Sequence, residues 1–230
     1  LREKLWDGQT LYHRWRDGER DTVQLLRAYA ELLAGTLDLY ETTLAPAHLD
    51  FALALAAAML ARFYDPANGG FFDSPAGAQD LILRVKEDYD GAEPSGNAVA
   101  ALALLRLAAI TGRAEFRDVA EKTLRLLAPR LQELPQAVPH LLLALAFYLT
   151  EPHRAVVTGR PGRPETAALL RAVHSVYRPD KVVLGHAGAV EPFAKALPSE
   201  GAPQVFLCAG SSCQLPTSDP AKLRQMLQAR

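Results

Sequence analysis

The 230-residue chain is 49% hydrophobic and 22% charged with a net charge of −1, a balance that supports a sizeable buried core and argues against nucleic acid as the main partner. Its two cysteines, Cys208 and Cys213, are too few for a disulfide framework, so reduced thiols, a reducing compartment and a cytoplasmic location are expected. No uninterrupted apolar run reaches roughly 18 residues and no basic, then apolar, leader opens the chain, so neither a membrane partner nor a secretory signal is read.

Charge is unevenly placed. Residues 1–150 hold 15 Lys+Arg and 20 Asp+Glu, a net of −5; residues 151–230 hold 10 and 6, a net of +4. The first residue is Leu1, which fits a piece of a longer polypeptide.

Tyr12, His13 and Trp15 lie on an early strand, as a stacking wall or simply half-buried. Residues 25–43, apolar on most sides (Leu25, Leu26, Tyr29, Leu32, Leu33, Leu37, Tyr40), predict a helix. After Ala45-Pro46 comes a second helix over 47–63, with Pro46 suited to a first helical position. Residues 95–111 are almost wholly apolar after Asn97 and stop at Gly112, as a C-terminal glycine should. Residues 114–130 are amphipathic, with Phe116, Val119, Ala120, Thr123 and Leu127 at helical spacing. Residues 136–150 are apolar all round.

An internal repeat runs through this body. Leu37, Leu39, Thr43, Asp50, Ala52 and Met59 match Leu105, Leu107, Thr111, Asp118, Ala120 and Leu127 at an offset of about 68 residues. A second echo pairs Leu5-Trp6-Asp7 and the following Leu11-Tyr12 with Phe63-Tyr64-Asp65 and the following Gly70-Phe71-Phe72. Helices without a wet face alternating with amphipathic ones predict an inner and an outer row, a partial α/α toroid; an ordinary bundle is the alternative. From residue 151 the pattern changes to strand 155–158, helix 164–176, strands 181–184 and 205–208, and helix 220–227. That is a small α/β unit with a βαβ parallel pair. The fold class is therefore mainly α over 1–150, followed by an α/β unit over 151–230.

The densest polar segment is 84–97, directly before an inner helix. Its carboxylates suit a polyhydroxylated ligand such as a sugar, with Asp90 and Glu93 the candidate acid and base. Arg84, Lys86, Tyr89, Asn97, His140 and Tyr29 are the candidate substrate contacts. Against this stands a structural reading, in which Asp and Ser cap the helix, Gly91 makes a turn, the cations are salt-bridged and His140 is a structural histidine. The turn Thr158-Gly159-Arg160-Pro161-Gly162-Arg163-Pro164 follows a strand and opens a helix, so it has weak anion-binding potential, but it is neither a Walker loop nor GxGxxG. The spacing of Cys208-Ala209-Gly210-Ser211-Ser212-Cys213 is too wide for a thioredoxin-type CxxC, so two reduced thiols at a strand end are expected, with a disulfide or a redox role the lesser alternative. No HExxH, GxSxG or calcium-loop motif occurs, so no metal or cofactor is expected.

Gly69-Gly70-Phe71-Phe72, Leu83-Arg84-x-Lys86, Tyr89-Asp90-Gly91-Ala92-Glu93-Pro94-Ser95-Gly96-Asn97, Pro139-His140-Leu141-Leu142 and Val205-Phe206-Leu207-Cys208 with Cys213-Gln214-x-Pro216-Thr217-x-Asp219-Pro220 carry a resemblance. Over nearly its whole length the chain resembles the C-terminal half of YyaL-type, thioredoxin-domain-containing proteins related to a spermatogenesis-associated thioredoxin-like protein. The resemblance implies an N-terminal thioredoxin-like domain, absent from this chain, and a six-hairpin glycosidase-type toroid similar to those of N-acylglucosamine 2-epimerases. Where that family usually reads Leu-Asp-Asp-Tyr-Ala, this chain has Leu26-Arg27-Ala28-Tyr29-Ala30. Two functions follow: a carbohydrate-directed pocket for a sugar-like small molecule, or a non-catalytic scaffold that docks the thioredoxin-like domain or a protein partner. About half a toroid lacks half its pocket wall, so no turnover is expected of the isolated chain.

Overall fold

The computed structural model describes residues 1–78, 81–199, 201–210 and 212–229; Ser211, in the segment between the two cysteines, lies outside them. Helix α1 (Arg2–Leu5) is followed by a hairpin of β1 (Trp15–Arg16) and β2 (Glu19–Arg20). Asp17 and Gly18, both at positive φ, make its two-residue turn. Then come α2 (Leu26–Thr43), α3 (Pro46–Phe63), α4 (Gly96–Thr111), α5 (Ala114–Glu133), a 3-10 turn at Pro135–Ala137 and α6 (Pro139–Leu149). Pro139 is why α6 starts later than expected, since the residue before a proline avoids the helical region.

Helices α2, α4 and α6 stand side by side, with α3 behind α2 and α5 behind α4. The 68-residue repeat thus relates two successive hairpins, α2–α3 and α4–α5. The second echo is also structural. Trp6 bridges Leu11 and Tyr64 bridges Phe71, each around an Asx turn in which Asp7 or Asp65 accepts the next backbone N–H groups. Helix α4 is buried from Gly96 to Ala101 and again at Ala103, Leu104, Leu105, Leu107 and Ile110. Helix α6 departs from the expectation of burial all round. As the last helix of the row it leaves Leu142, Leu143 and Leu149 exposed. Helix α3 is long and apolar enough, by length and composition, to cross a membrane; here it buries Leu49, Ala52, Leu55, Ala56, Met59 and Phe63.

The remainder comprises β3 (His153–Thr158), α7 (Pro164–His174), β4 (Lys181–Leu184), α8 (Pro192–Ala196), β5 (Gln204–Ala209), β6 (Ser212–Cys213) and α9 (Pro220–Gln228). The strand order is β4-β3-β5-β6. Strands β3 and β4 are parallel, the expected βαβ pair, while β5 runs antiparallel to β3. Alternation along each strand divides the residues between two cores. Val156, Val182, Leu184, Phe206 and Cys208 face the helical row; Ala155, Val157, Val183, Val205 and Leu207 face α7 and α9. The seam is polar at one point. Glu41 of α2, 6% exposed, accepts from Arg106 of α4 at 2.8 Å and from the Val183 N–H at 3.1 Å. Beside it the Tyr40 hydroxyl accepts from the Gly185 N–H, and burial pushes its pKa up to about 12.

The expectation of reduced thiols is corrected. Cys208 and Cys213 are directly opposite in the β5–β6 hairpin and form a disulfide, with Cα atoms 4.0 Å apart. The cysteines therefore no longer argue for a reducing compartment.

Candidate functional site

The N-terminal ends of α2, α4 and α6 meet at one rim. Gly96, the first residue of α4, lies so close to α2 that a Cβ there would sit 2.9 Å from Leu26 and 3.3 Å from the Arg27 nitrogen. The 84–97 segment crosses the same rim and reaches the start of α6. Three converging helix N-termini present unpaired N–H groups and a positive end, so carboxylates collect there for a physical reason.

Asp90 meets this demand. One oxygen accepts the Ser95 N–H at 2.8 Å, the other the His140 N–H at 2.7 Å. Ser95 in turn caps α4 through the Ala98 N–H. Asp90 thus ties the first turns of α4 and α6 together. It shares a shallow hollow of about 330 Å³ with Glu93 and His140. Burial lowers the His140 pKa, against the opposing pull of Asp90.

Four expected contacts are spent within the protein. Asn97 is fully buried; its oxygen accepts the Phe71 N–H at 2.7 Å and its amide donates to the carbonyls of Phe71 and Glu87. Tyr29 is fully buried, its hydroxyl accepting the Leu11 N–H. Arg84 donates to the Ser74 carbonyl and lies over the Phe72 ring. Lys86 donates to Asp65 and the Gly69 carbonyl. Tyr89 is exposed. The early aromatic wall does not assemble either. Tyr12 donates to Asp7, Lys4 covers the Trp15 ring, and His13 alone of the three lines a hollow at the rim.

That hollow, about 620 Å³, holds the expected Glu93 together with residues the sequence reading missed as site residues. Arg27, Glu31, Asp73 and Glu87 line it with Glu93, His13, Leu25 and Ala28. Arg27 pairs with Glu93 and, at 3.4 Å, with Glu87. Burial works against the guanidinium charge, but the two carboxylates outweigh it and hold its pKa above the usual value. Asp73 lies two residues after Phe71, which bridges Tyr64. Its backbone accepts the Leu26 N–H and donates to Val85, which fixes it beside the start of α2. Burial raises the Asp73 carboxyl from 3.8 to about 6 and the Glu87 charge adds to this, while the Glu87 backbone N–H and Arg27 pull the other way. One local signal was available: Arg27 and Glu31, four apart on a helix, share a face.

A larger hollow of about 960 Å³ lies at the opposite ends of these helices, against the α/β unit. One wall is apolar (Leu102, Leu143, Ala146, Phe147, Tyr177), and of its charged groups Arg106 is paired with Asp38 and Glu41 and Arg178 with Asp180, while Lys181 donates to backbone carbonyls. Both hollows gather titratable groups; the rim hollow is the better candidate for chemistry because its Asp73 carboxyl is raised to about 6 at the start of the α2 helix. Among the described residues, no group of three or more His, Cys, Asp or Glu is placed to hold a metal ion.

No family model matches the chain. Among curated proteins, it is 37% identical over 212 residues to spermatogenesis-associated protein 20 of Mus musculus and 36% identical over 212 residues to that of Homo sapiens. It is 28% identical over 204 residues to an uncharacterized protein of Caenorhabditis elegans. The first two matches cover 88% of this chain and 27% of each relative. The chain thus spans about a quarter of the length of these relatives.

Proposed function

We propose, from the premise that the chain belongs to the spermatogenesis-associated protein 20 family, that the rim hollow binds a sugar-like, polyhydroxylated small molecule. The observation that carries this is the gathering of Arg27, Asp73, Glu87 and Glu93 in one hollow of about 620 Å³, within the size range of small-molecule sites. Carboxylates and a guanidinium are the groups that hydrogen-bond vicinal hydroxyls. On this reading the row α2–α4–α6 is a sector of an α/α toroid of the six-hairpin glycosidase type, and the rim is its ligand-facing end. Asp73, titrating near neutrality, is the proton donor of the set. Glu93 is the acceptor that meets the ligand, and Asp90 positions the rim through its two backbone N–H bonds.

The test is a thermal-shift screen of the chain against a broad panel of mono- and disaccharides. A ligand that binds the folded state raises Tm by mass action, and Glu93→Gln should abolish the shift. A panel that leaves Tm unmoved removes support for the carbohydrate reading. One observation favours a second reading, a scaffold that docks a thioredoxin-like domain or another protein. Arg27, standing where the resemblance expects an acid, pairs with both Glu87 and Glu93.

A further inference from the structure

The turn from β3 into α7, residues 158–164, lies outside the three hollows described above. It leaves the carboxyl end of β3, which pairs in parallel with β4; the crevice beyond the carboxyl ends of parallel strands is where α/β units take ligands. Helix α7 has 11 residues, begins with Pro164, which has no N–H, and receives no side-chain cap from Arg163. Its first-turn amides and its positive end therefore open toward the turn.

A second observation is independent of the helix end. Thr166, in that first turn, is fully buried, and its hydroxyl has no hydrogen-bond partner. The hydroxyl points at Gly159, where a Cβ would lie 2.8 Å from the Thr166 oxygen and 2.9 Å from Pro203. A buried hydroxyl without a partner is costly and rare. Gly162, at φ +80 with nothing within 4 Å of its Cβ position, leaves the turn backbone bare of side chains there, while Gly159, at φ +141, lets the backbone close over Thr166 and Pro203; a bare turn of this kind is used in backbone cradles for anions. Arg160 and Arg163 flank it, exposed. Neither is ion-paired among the described residues. Glu165 is the one carboxylate in that helical turn, and it is exposed.

We propose that this turn is a binding site for a phosphate group, held by the first-turn amides of α7, the Thr166 hydroxyl and the guanidiniums of Arg160 and Arg163. Guanidiniums match phosphate oxygens in pairs, and the hydroxyl supplies a donor from beneath. The group can arrive as free phosphate or as a phosphomonoester.

The test is calorimetric titration of the 230-residue chain with inorganic phosphate and with glycerol 3-phosphate, using glycerol as the uncharged control. Saturable one-to-one binding of at least one phosphate probe, none of glycerol, and weakening as salt is raised are expected. Tighter binding of glycerol 3-phosphate identifies an ester as the ligand; equal binding identifies phosphate itself. Arg160→Gln with Arg163→Gln should weaken binding by roughly tenfold or more, the scale of lost charge-assisted hydrogen bonds. Thr166→Val replaces an unpartnered hydroxyl by an isostere, so it should weaken binding while keeping Tm at or above that of the parent. Absence of saturable binding overturns the proposal. So does binding that the arginine variant leaves unchanged, or binding that Thr166→Val leaves unchanged, since the last would mean surface charge alone.

Discussion

The carboxylate of Asp90 accepts the backbone N–H of His140 at 2.7 Å, across 50 residues of sequence. Its other oxygen takes the Ser95 N–H, so one side chain holds the starts of two neighbouring helices. Asp90→Ala should cost about 2 kcal/mol, on the scale of lost caps, and lower Tm by roughly 4–8 °C for a domain of this size. Asp90→Asn, which keeps one carbonyl acceptor, should lose less. Thermal melts of the two variants check this; equal melting of Asp90→Ala and the parent would remove Asp90 from its positioning role.

Asp73 makes stability depend on pH. Its carboxyl is raised from 3.8 to about 6 in the folded chain, by burial first and then by Glu87. Below about pH 4 it is protonated in both states. Between about pH 4 and pH 6 the unfolded chain releases the proton while the folded chain keeps it, so stability falls as pH rises through that window. Asp73→Asn has no proton to lose and should gain on the parent from pH 4 to pH 7 in urea denaturation. Carboxyl NMR gives a finer check: the Asp73 midpoint should fall in Glu87→Gln and rise in Arg27→Gln.

The Cys208–Cys213 bond closes a loop with a sequence separation of 5. By loop-closure entropy such a bond is worth about 2 kcal/mol. Unfolded without reductant, the chain should take up no alkylating label; after reduction it should take up two. Reduction should also shift the urea midpoint downward. Two labels before reduction would mean that the pair stays open.

Local chemistry was legible where neighbours in sequence do the work. Ser95 caps α4 and Gly112 ends it in the left-handed region, both set by residues within one turn. The parallel pair β3–β4 followed from two apolar runs around a helix. The site was less legible, because its partners meet only through packing. Arg27 reaches Glu93 and Glu87 across 66 and 60 residues, and Asp73 joins them by way of the Leu26 and Val85 backbone bonds. Composition marked 84–97 as polar, but it could not tell a contact from a staple: Asn97, Lys86 and Arg84 face inward to hold the Phe71, Gly69 and Ser74 backbones. The disulfide was the less favoured reading of the two cysteines, because their spacing makes sense only in the Cys208–Cys213 cross-strand register.

The central claim is that the N-terminal rim of α2, α4 and α6 is where a ligand sits. Amide NMR titration with the best-binding sugar of the thermal screen addresses it directly. The account predicts saturable shifts confined to Arg27, Asp73, Glu87, Glu93 and their neighbours, with the wall around Leu143, Phe147 and Tyr177 unmoved. Shifts centred on that apolar wall, with the rim amides silent, would contradict it.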